Sequence, residues 1–535
     1  MELHKNIKKV IKNTHDRIKG KKGKGRVGSK YYMGIDQGTT GTTVLLLDGE
    51  WNLAAQVHKE HRQYYPRPGW VEHDPEEILR QVTEAACEVM QKAGALAKEV
   101  QCIGIDNQGE TVVVWEKETG KPVYPAIVWQ DRRTASRVEQ LKDRERKMIR
   151  EKTGLHADAY FGATKIRWIL DTVEGARSRA EAGELLAGPL DAWFLWNMTG
   201  GRVFATDYST ASRTMLFNIH EKKWDEDLLR LFDIPVNILP EIRCTAGNYG
   251  SAGLAGSDGQ EAFIPITGNI VDQQAALFGQ ACHEEGMAKT TYGTGCFMLM
   301  NTGTRPVYSE SGLLTSVAWK LKDDEMKFEL DGGIYVAGSV ITWMKNKMNL
   351  IESAEETNQL AVSVPDTAGV YFVPAMTGLA APYWDPYARG MLIGITPGTE
   401  KAHIVRAALE SIAYQVKDIL DLMEKDSGIK IKTMRADGGI ASNDFLMQFQ
   451  ADILGIPVDV PVIPETTALG AAYIAAYGIG QFNELSEIEN NWKLKKRYLP
   501  GIDENQRKRL MTRWHRAVER AKGWIEEDEN QETKQ

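Results

Sequence analysis

"YYMGIDQGTTGTTVLLLD", residues 31–48, is the stretch on which the fold turns. Apolar runs at 31–35 and 44–47 flank a tip of glycine and threonine, the pattern of a strand, a tight turn and a second strand. Near residue 280 the pattern starts again. "GMAKTTYGTGCFMLMNTG", residues 286–303, is another strand–turn–strand with a small polar tip. Elsewhere strands mix with helices and no short repeat is sustained, which predicts two α/β domains, each opening with such a hairpin. The length of 535 residues agrees, since one hydrophobic core rarely grows that large.

Working outward, Asp74 is placed to cap a helix that begins at Pro75, with Glu76 and Glu77 suiting its positive end. Residues 104–115, "GIDNQGETVVVW", read as a buried strand, a polar turn and a second strand. Glu110 stands in that turn beside Gly109, with no basic residue next to it. Residues 134–200 are mostly helical, 263–281 run from an apolar strand into a helix, and 434–461 read strand, glycine turn, helix, strand. An alanine-rich helix is expected at 466–480 and a charged amphipathic helix at 503–527.

With 42% hydrophobic and 26% charged residues the chain is of globular composition. No apolar run reaches the roughly eighteen residues of a membrane span. Five scattered cysteines without a CxxC pair suggest neither a disulfide framework nor a zinc site, and a reducing cytoplasm is expected. The net charge of −8 is uneven: residues 1–30 hold 11 Lys/Arg against 2 Asp/Glu, leaving +9 there and −17 on the remainder. An acidic body argues against nucleic-acid binding. The basic leader reads as a solvated, disordered extension without the apolar centre of a signal peptide. Its Gly28-Ser29-Lys30 follows Gly23 in the wrong order for a phosphate loop.

Four constellations carry chemistry. Asp36-Gln37-Gly38-Thr39-Thr40-Gly41 offers glycines for unusual dihedrals and close approach, amides that form an anion nest, threonine donors, and a carboxylate able to hold magnesium. Tyr292-Gly293-Thr294-Gly295-Cys296 is a second such tip. Ordinary hairpin tips use the same residues, but two of them suggest a phosphate gripped between domains. Asp437-Gly438-Gly439 with Asn443 lets a flat base lie on backbone, or is a plain strand-to-helix turn capped by Ser442 or Asn443. Asp272-Gln273-Gln274 opens a helix after a strand; its carboxylate is either a helix cap or a base for a hydroxyl proton.

Taken in order, these residues resemble the FGGY carbohydrate kinases, and among them the members that phosphorylate glycerol. The matching pieces include "PGWVEHDP" (68–75), "VWEKETGKPVYPAIVWQ" (114–130), "TDYSTASRTMLFNIH" (206–220), "DQQAALFGQ" (272–280), "GLAAPYWDPYARG" (378–390) and "LESIAYQ" (409–415), together with residues 286–303, and the likeness spans about 31–525. The resemblance implies an α/β fold of two actin-like, ribonuclease-H-like ATPase domains with an interdomain cleft. It implies an N-terminal domain at 31–281 on the polyol and phosphate side, a nucleotide-side domain at 282–480, and a helical extension at 481–535. ATP and Mg2+ are the implied cofactors and a small polyol the acceptor, with assembly of identical chains left open. Positions matching nucleotide contacts are Thr39, Thr40, Gly41, Thr294, Gly338, Gly439 and Asn443, and Asp36 matches a residue near the metal. Asp272 matches the general base and Gln273 a polyol contact beside it. Glu110, Trp129, Tyr160 and Phe297 match the acceptor pocket.

The chain departs from the pattern at several positions. Gly109 stands where an arginine normally holds the polyol, so the pocket is expected to gain space. A charged contact is worth about 1.5–3 kcal/mol, so its uncompensated loss weakens glycerol binding roughly ten- to a hundredfold. Thr43 replaces an arginine near the phosphates, Thr342 a glutamine near the nucleotide, and Val271 a glycine before the base. Residues 248–266 lack the arginine and the histidine that some members use for control. Two alternatives therefore stand beside glycerol phosphorylation: a kinase for another polyol or sugar, and a non-catalytic sensor on the kinase fold.

Overall fold

In the computed structural model, which describes residues 29–322 and 325–525, the opening hairpin forms as the sequence predicts. Strands β1 (Tyr31–Gln37) and β2 (Gly41–Asp48) pair antiparallel, and β3 (Leu53–Glu60) adds to β2. Helix α1 (Pro75–Ala93) starts on Asp74, whose carboxylate accepts from the Glu76 and Glu77 amides. Its apolar stripe, Ile78, Val82, Ala85 and Val89, covers the outer face of the sheet. β4 (Val100–Asn107) then lies parallel to β1. The next strand, β5 (Val112–Glu116), does not pair with β4. The turn at 108–111 is thus a crossing between two sheets, not a hairpin tip. β6 (Ser251–Ala255) and β7 (Glu261–Val271) complete a six-stranded sheet in the order β6-β7-β4-β1-β2-β3. α2 (Asp272–Gly279) leaves the end of β7.

The second lobe repeats the plan. β8 (Ala288–Tyr292) and β9 (Cys296–Gly303) form the second hairpin. β10 (Leu314–Trp319) and β11 (Lys327–Ile334) extend it antiparallel, and β12 (Met434–Asp437) and β13 (Val458–Pro461) add parallel strands on the other side. Three antiparallel strands followed by two parallel ones thus recur in both lobes, with β10 a fourth antiparallel strand at the edge of the second, the ribonuclease-H-like arrangement expected for the fold class. Beyond residue 480 the chain is not only helical. β14 (Leu494–Tyr498) closes the second sheet at its edge, after α3 (Thr466–Gly478). The last helix, α4 (Glu504–Ala521), is shorter than the predicted 503–527 because Lys522 turns extended, and it buries Trp514 in the core of this lobe. The leader falls outside the described residues except for its last two positions.

α3 and α2 pack together between the two sheets, and alanine spacing explains how closely. Ala468, Ala471, Ala472 and Ala475 of α3 lie on β1, β4 and β7. A Cβ at Gly34 would stand 1.9 Å from the Ala468 carbonyl oxygen, and one at Gly104 1.8 Å from that of Ala471. Backbone touches backbone there, so the helix supplied by the second half of the chain is seated directly on the first sheet. This contact fixes where the two hairpins stand.

Candidate active site

The first tip is braced from below. The Gly38 amide donates to the Gly41 carbonyl at 3.0 Å. Neither glycine has a positive φ, so the expectation of unusual dihedrals fails. Gly41 is needed for space instead: a Cβ would lie 2.6 Å from the Lys59 carbonyl oxygen and 2.8 Å from His58 Cε1. Gln63 Nε2 donates to the Thr39 carbonyl at 2.7 Å, the Trp129 indole donates to the Thr39 hydroxyl at 2.9 Å, and the His61 amide donates to the Thr40 carbonyl at 3.2 Å. His73 Nε2 meets Gln63 Oε1 at 2.7 Å. Burial pushes His61 down to about 4 and His73 to about 3, so this support is uncharged near neutral pH. At the end of the tip the Thr43 hydroxyl meets His58 Nδ1 at 3.0 Å. An imidazole thus stands beside the position where the family pattern has a guanidinium.

The second tip gathers three of the expected nucleotide positions. The Thr294 carbonyl accepts from the Ala337 and Ser339 amides, both at 3.0 Å. A Cβ on Gly338 would lie 2.6 Å from the Gly293 carbonyl oxygen and 2.9 Å from Ile440 Cδ1, which joins this helix start to the turn after β12. Gly439 in that turn faces open space, with no atom within 4 Å of where its Cβ would be. Asn443 is used as a helix cap: its side chain accepts from the Leu446 amide at 2.9 Å and donates to Thr357 at 3.0 Å. Thr342 turns its hydroxyl back to the Gly338 carbonyl.

Three carboxylates lie at the strand ends of the first lobe. The parallel register sets Asp36 of β1 beside Asp106 of β4, and Asp272 follows the end of β7 as the first residue of α2. Asp272 is not the cap; Val271 is. Asp36 is raised to about 6, by burial first. Asp106 is raised well above the usual carboxylate range by burial, then by the charges of Asp36 and Asp272. Both Asp106 oxygens are buried without a hydrogen-bond donor. Asp272 is raised to about 7, by enclosure first, then by Glu110 and Asp36, against the opposing pull of its bond from the Gln273 amide and of Lys289. Like charges held this close are the ordinary signature of a site that takes up a cation or a proton.

The acceptor positions converge with residues the sequence reading did not select. Glu110 is buried and accepts from Arg213 Nε at 2.6 Å. The same guanidinium donates to Ser316 at 2.7 Å and to Asp331 at 3.2 Å, both in the second lobe. The carboxylate that lacked a basic neighbour in sequence has one in space. Lys165, also buried, donates to the backbone carbonyls of Glu110 at 2.8 Å and Tyr160 at 2.5 Å, and burial pushes it down to about 7. The Trp129 and Tyr160 rings meet edge to face at 5.6 Å, with the Arg213 guanidinium 5.8 Å from the Tyr160 ring. Gln273 accepts from Lys289 at 2.6 Å. Cross-strand register sets Phe297 between Thr291 and Gly333, on the sheet face shared by Lys289 and Asp331. The pocket does not gain space at Gly109. A Cβ there would stand 2.4 Å from Val271 Cγ2, so the valine has filled the room an arginine would leave through. Arg213 lies in the quoted run 206–220 and Lys165 in a helical stretch. Neither carries a local signal: Arg213 sits among serines and threonines, and Lys165 lies two residues from Arg167.

The arrangement is that of a phosphotransfer cleft, and comparison with known proteins agrees. The family models for the N-terminal and C-terminal domains of the FGGY carbohydrate kinases match residues 31–279 and 288–479. The chain is 53% identical over 502 residues to the glycerol kinase of Caldanaerobacter subterraneus subsp. tengcongensis, covering 93% of this chain and 100% of that protein. It is 52% identical to glycerol kinase 2 of Thermotoga maritima, over 92% of this chain and 99% of that one. The crystal structure of Plasmodium falciparum glycerol kinase with ADP superposes with a TM-score of 0.86 at 37% identity, covering 92% of this chain and 98% of that one. A xylulose kinase from Lactobacillus acidophilus, at 23% identity and a TM-score of 0.81 over 91% and 97% of the two chains, shares the fold.

Proposed function

The chain belongs to the FGGY family of carbohydrate kinases, and from that premise we propose that it transfers the γ-phosphoryl group of ATP to a primary hydroxyl of glycerol. The observation that carries the reading is the setting of Asp272. It feels the charges of both Glu110 of the proposed acceptor pocket and Asp36 of the phosphate hairpin, with Lys289 opposing them, and it follows the end of the strand beside that of Asp106. A base between an alcohol site and a phosphate site is what transfer between them requires.

Each group has a part. Glu110 accepts from acceptor hydroxyls, while Trp129, Tyr160 and Phe297 meet the C–H face of a small polyol. Gln273, held by Lys289, orients a hydroxyl beside Asp272. Asp272 takes the proton as the oxygen attacks phosphorus; a base poised near 7 suits that task. The backbone of the tip at 38–41, with the Thr39 and Thr40 hydroxyls, receives phosphate oxygens. The backbone of Thr294, Gly338 and Gly439 receives the nucleotide, with Asn443 shaping the last turn. Among the described residues no three His, Cys, Asp or Glu side chains could hold a metal by themselves. Magnesium needs only one or two carboxylates with phosphate and water, and Asp36 with the donor-free Asp106 fits that set. Bound there, the ion would neutralise charge on the phosphates. An acceptor panel of polyols, ketoses and sugar acids with Mg-ATP tests the assignment: glycerol is expected to give the highest kcat/KM, and a clear preference for a longer polyol or a ketose replaces it. ATP consumption unaffected by any acceptor identifies a sensor instead.

A further inference from the structure

Gly109 and Val271 are both departures from the family pattern, and the structure joins them. Gly109 is buried in the crossing between β4 and β5, and Val271 is the buried last residue of β7. A Cβ at 109 would meet Val271 Cγ2 at 2.4 Å, Val271 Cβ at 3.3 Å and Arg213 Cγ at 3.4 Å. No side chain, however small, enters there while Val271 keeps its place. The valine is pinned by the chain on both sides of it: its amide donates to Ser209 Oγ at 3.1 Å, and Asp272 begins α2 immediately after it. The stem of Arg213 closes the third side. Its buried guanidinium then bonds Glu110 of its own lobe and Ser316 and Asp331 of the other, beside the apolar seam that joins them.

We propose that Gly109 and Val271 are a matched steric pair that leaves the positioning of the acceptor carboxylate, Glu110, to Arg213. This rests on the reading of Glu110 as an acceptor contact. Arg213 is a positioning residue: it fixes the carboxylate by a charge-assisted bond and leaves the other Glu110 oxygen for substrate. The lone pairs of Glu110 are aimed by a group held in turn by Ser316 and Asp331, beside the buried seam of Ala211, Phe217, Val317 and Phe328. Acceptor affinity therefore depends on Arg213, and nucleotide affinity does not.

Two sets of variants test this. In the first, melting temperature and acceptor KM are measured for Gly109→Ala, Val271→Gly and the double variant. Gly109→Ala is expected to melt lower and to raise acceptor KM about tenfold, and adding Val271→Gly to recover both. Gly109→Ala indistinguishable from the parent, or a double variant no better than the worse single one, overturns the pairing. Melting needs no substrate, so the pairing is decided even if the parent phosphorylates no polyol, which would overturn the functional reading alone. In the second set, Arg213→Lys keeps the charge but loses the fork, and Arg213→Gln loses both. Acceptor KM is expected to rise roughly ten- to a hundredfold in Arg213→Gln and less in Arg213→Lys, with ATP KM changed by no more than about twofold in either. Equal rises in both KM values, or a fall in kcat with acceptor KM unmoved, overturn the positioning role.

Discussion

The two lobes place an aspartate at the same point of the same topology and use it differently. Asp106 is the last residue but one of the first parallel strand of one sheet, in register with Asp36 of the hairpin. Asp437 ends the first parallel strand of the other, in register with Thr291. Asp437 is satisfied: one of its oxygens accepts from Gln280 Nε2 at 2.7 Å and from the Thr466 hydroxyl at 2.5 Å, which ties the second sheet to α2 and α3. Asp106 has no donor and faces two further carboxylates. One lobe spends its acid on architecture; the other keeps its acids electrostatically uncomfortable. Topology alone fixes where a carboxylate stands, and the donors around it decide whether it braces the fold or takes part in chemistry.

The largest effect is expected at Asp272. Asp272→Asn keeps shape and removes the base, so kcat should fall roughly a hundred- to ten-thousandfold, with ATP affinity by calorimetry close to that of the parent. A variant retaining most of its turnover would remove the base from the comparison.

The same substitution in both lobes sharpens it. Asp437→Ala strands the Gln280 and Thr466 donors, at roughly 1–3 kcal/mol for each buried group left unpaired, and should lower the denaturation midpoint markedly. Asp106→Ala strands no N–H or hydroxyl donor, and removes a carboxyl whose proton burial and the charges of Asp36 and Asp272 hold on. It should cost less stability without metal, while the Mg2+ concentration needed for half-maximal activity rises. Equal stability losses at the two positions would mean that the acids are not used differently.

The raised carboxylate also sets a pH dependence. Asp272 must lose its proton to act as a base, so kcat/KM should climb as pH rises through about 7. The groups facing it are Glu110 and Asp36, which hold its proton on, Lys289, which opposes them, and Asp106, whose own proton the Asp272 charge holds on. Its effect on stability has the opposite sign. The folded form keeps a proton that the unfolded chain has already released, so this contribution is fully present below the ordinary carboxylate range and is lost as pH rises toward 7. Thermal melts with and without Mg-nucleotide should show the loss narrowed by the ligand.

Legibility followed the same divide. The hairpins, the Asp74 cap and the alanine helix were open to sequence reading because period, cap and turn chemistry are local. The proposed acceptor site was only half legible. Glu110, Trp129, Tyr160 and Asp272 came from resemblance, but Arg213 lies 103 positions from the carboxylate it serves, and nothing local marks it. Gly109 showed the limit most clearly. Its missing side chain implied added room until Val271, distant in sequence and adjacent in space, was seen to occupy it. Side-chain filling across strands is a property of the folded chain that no window of residues contains.

The smallest effect expected is at Gly439, and its neighbour makes it informative. Gly438 and Gly439 are alike in sequence. Gly438 has φ +86° and a Cβ on it would lie 2.5 Å from the Tyr292 carbonyl oxygen, so Gly438→Ala should destabilise the second lobe by more than about 1 kcal/mol. Gly439 has ordinary φ and open space where its Cβ would be. Gly439→Ala should therefore leave the melting temperature unchanged and raise ATP KM by about two- to tenfold, because the new methyl projects into the room taken by the nucleotide. Acceptor KM should not move. A Gly439→Ala enzyme with unaltered ATP KM would show that the nucleotide lies elsewhere along the second hairpin, and would leave the two lobes distinguished by their acids alone.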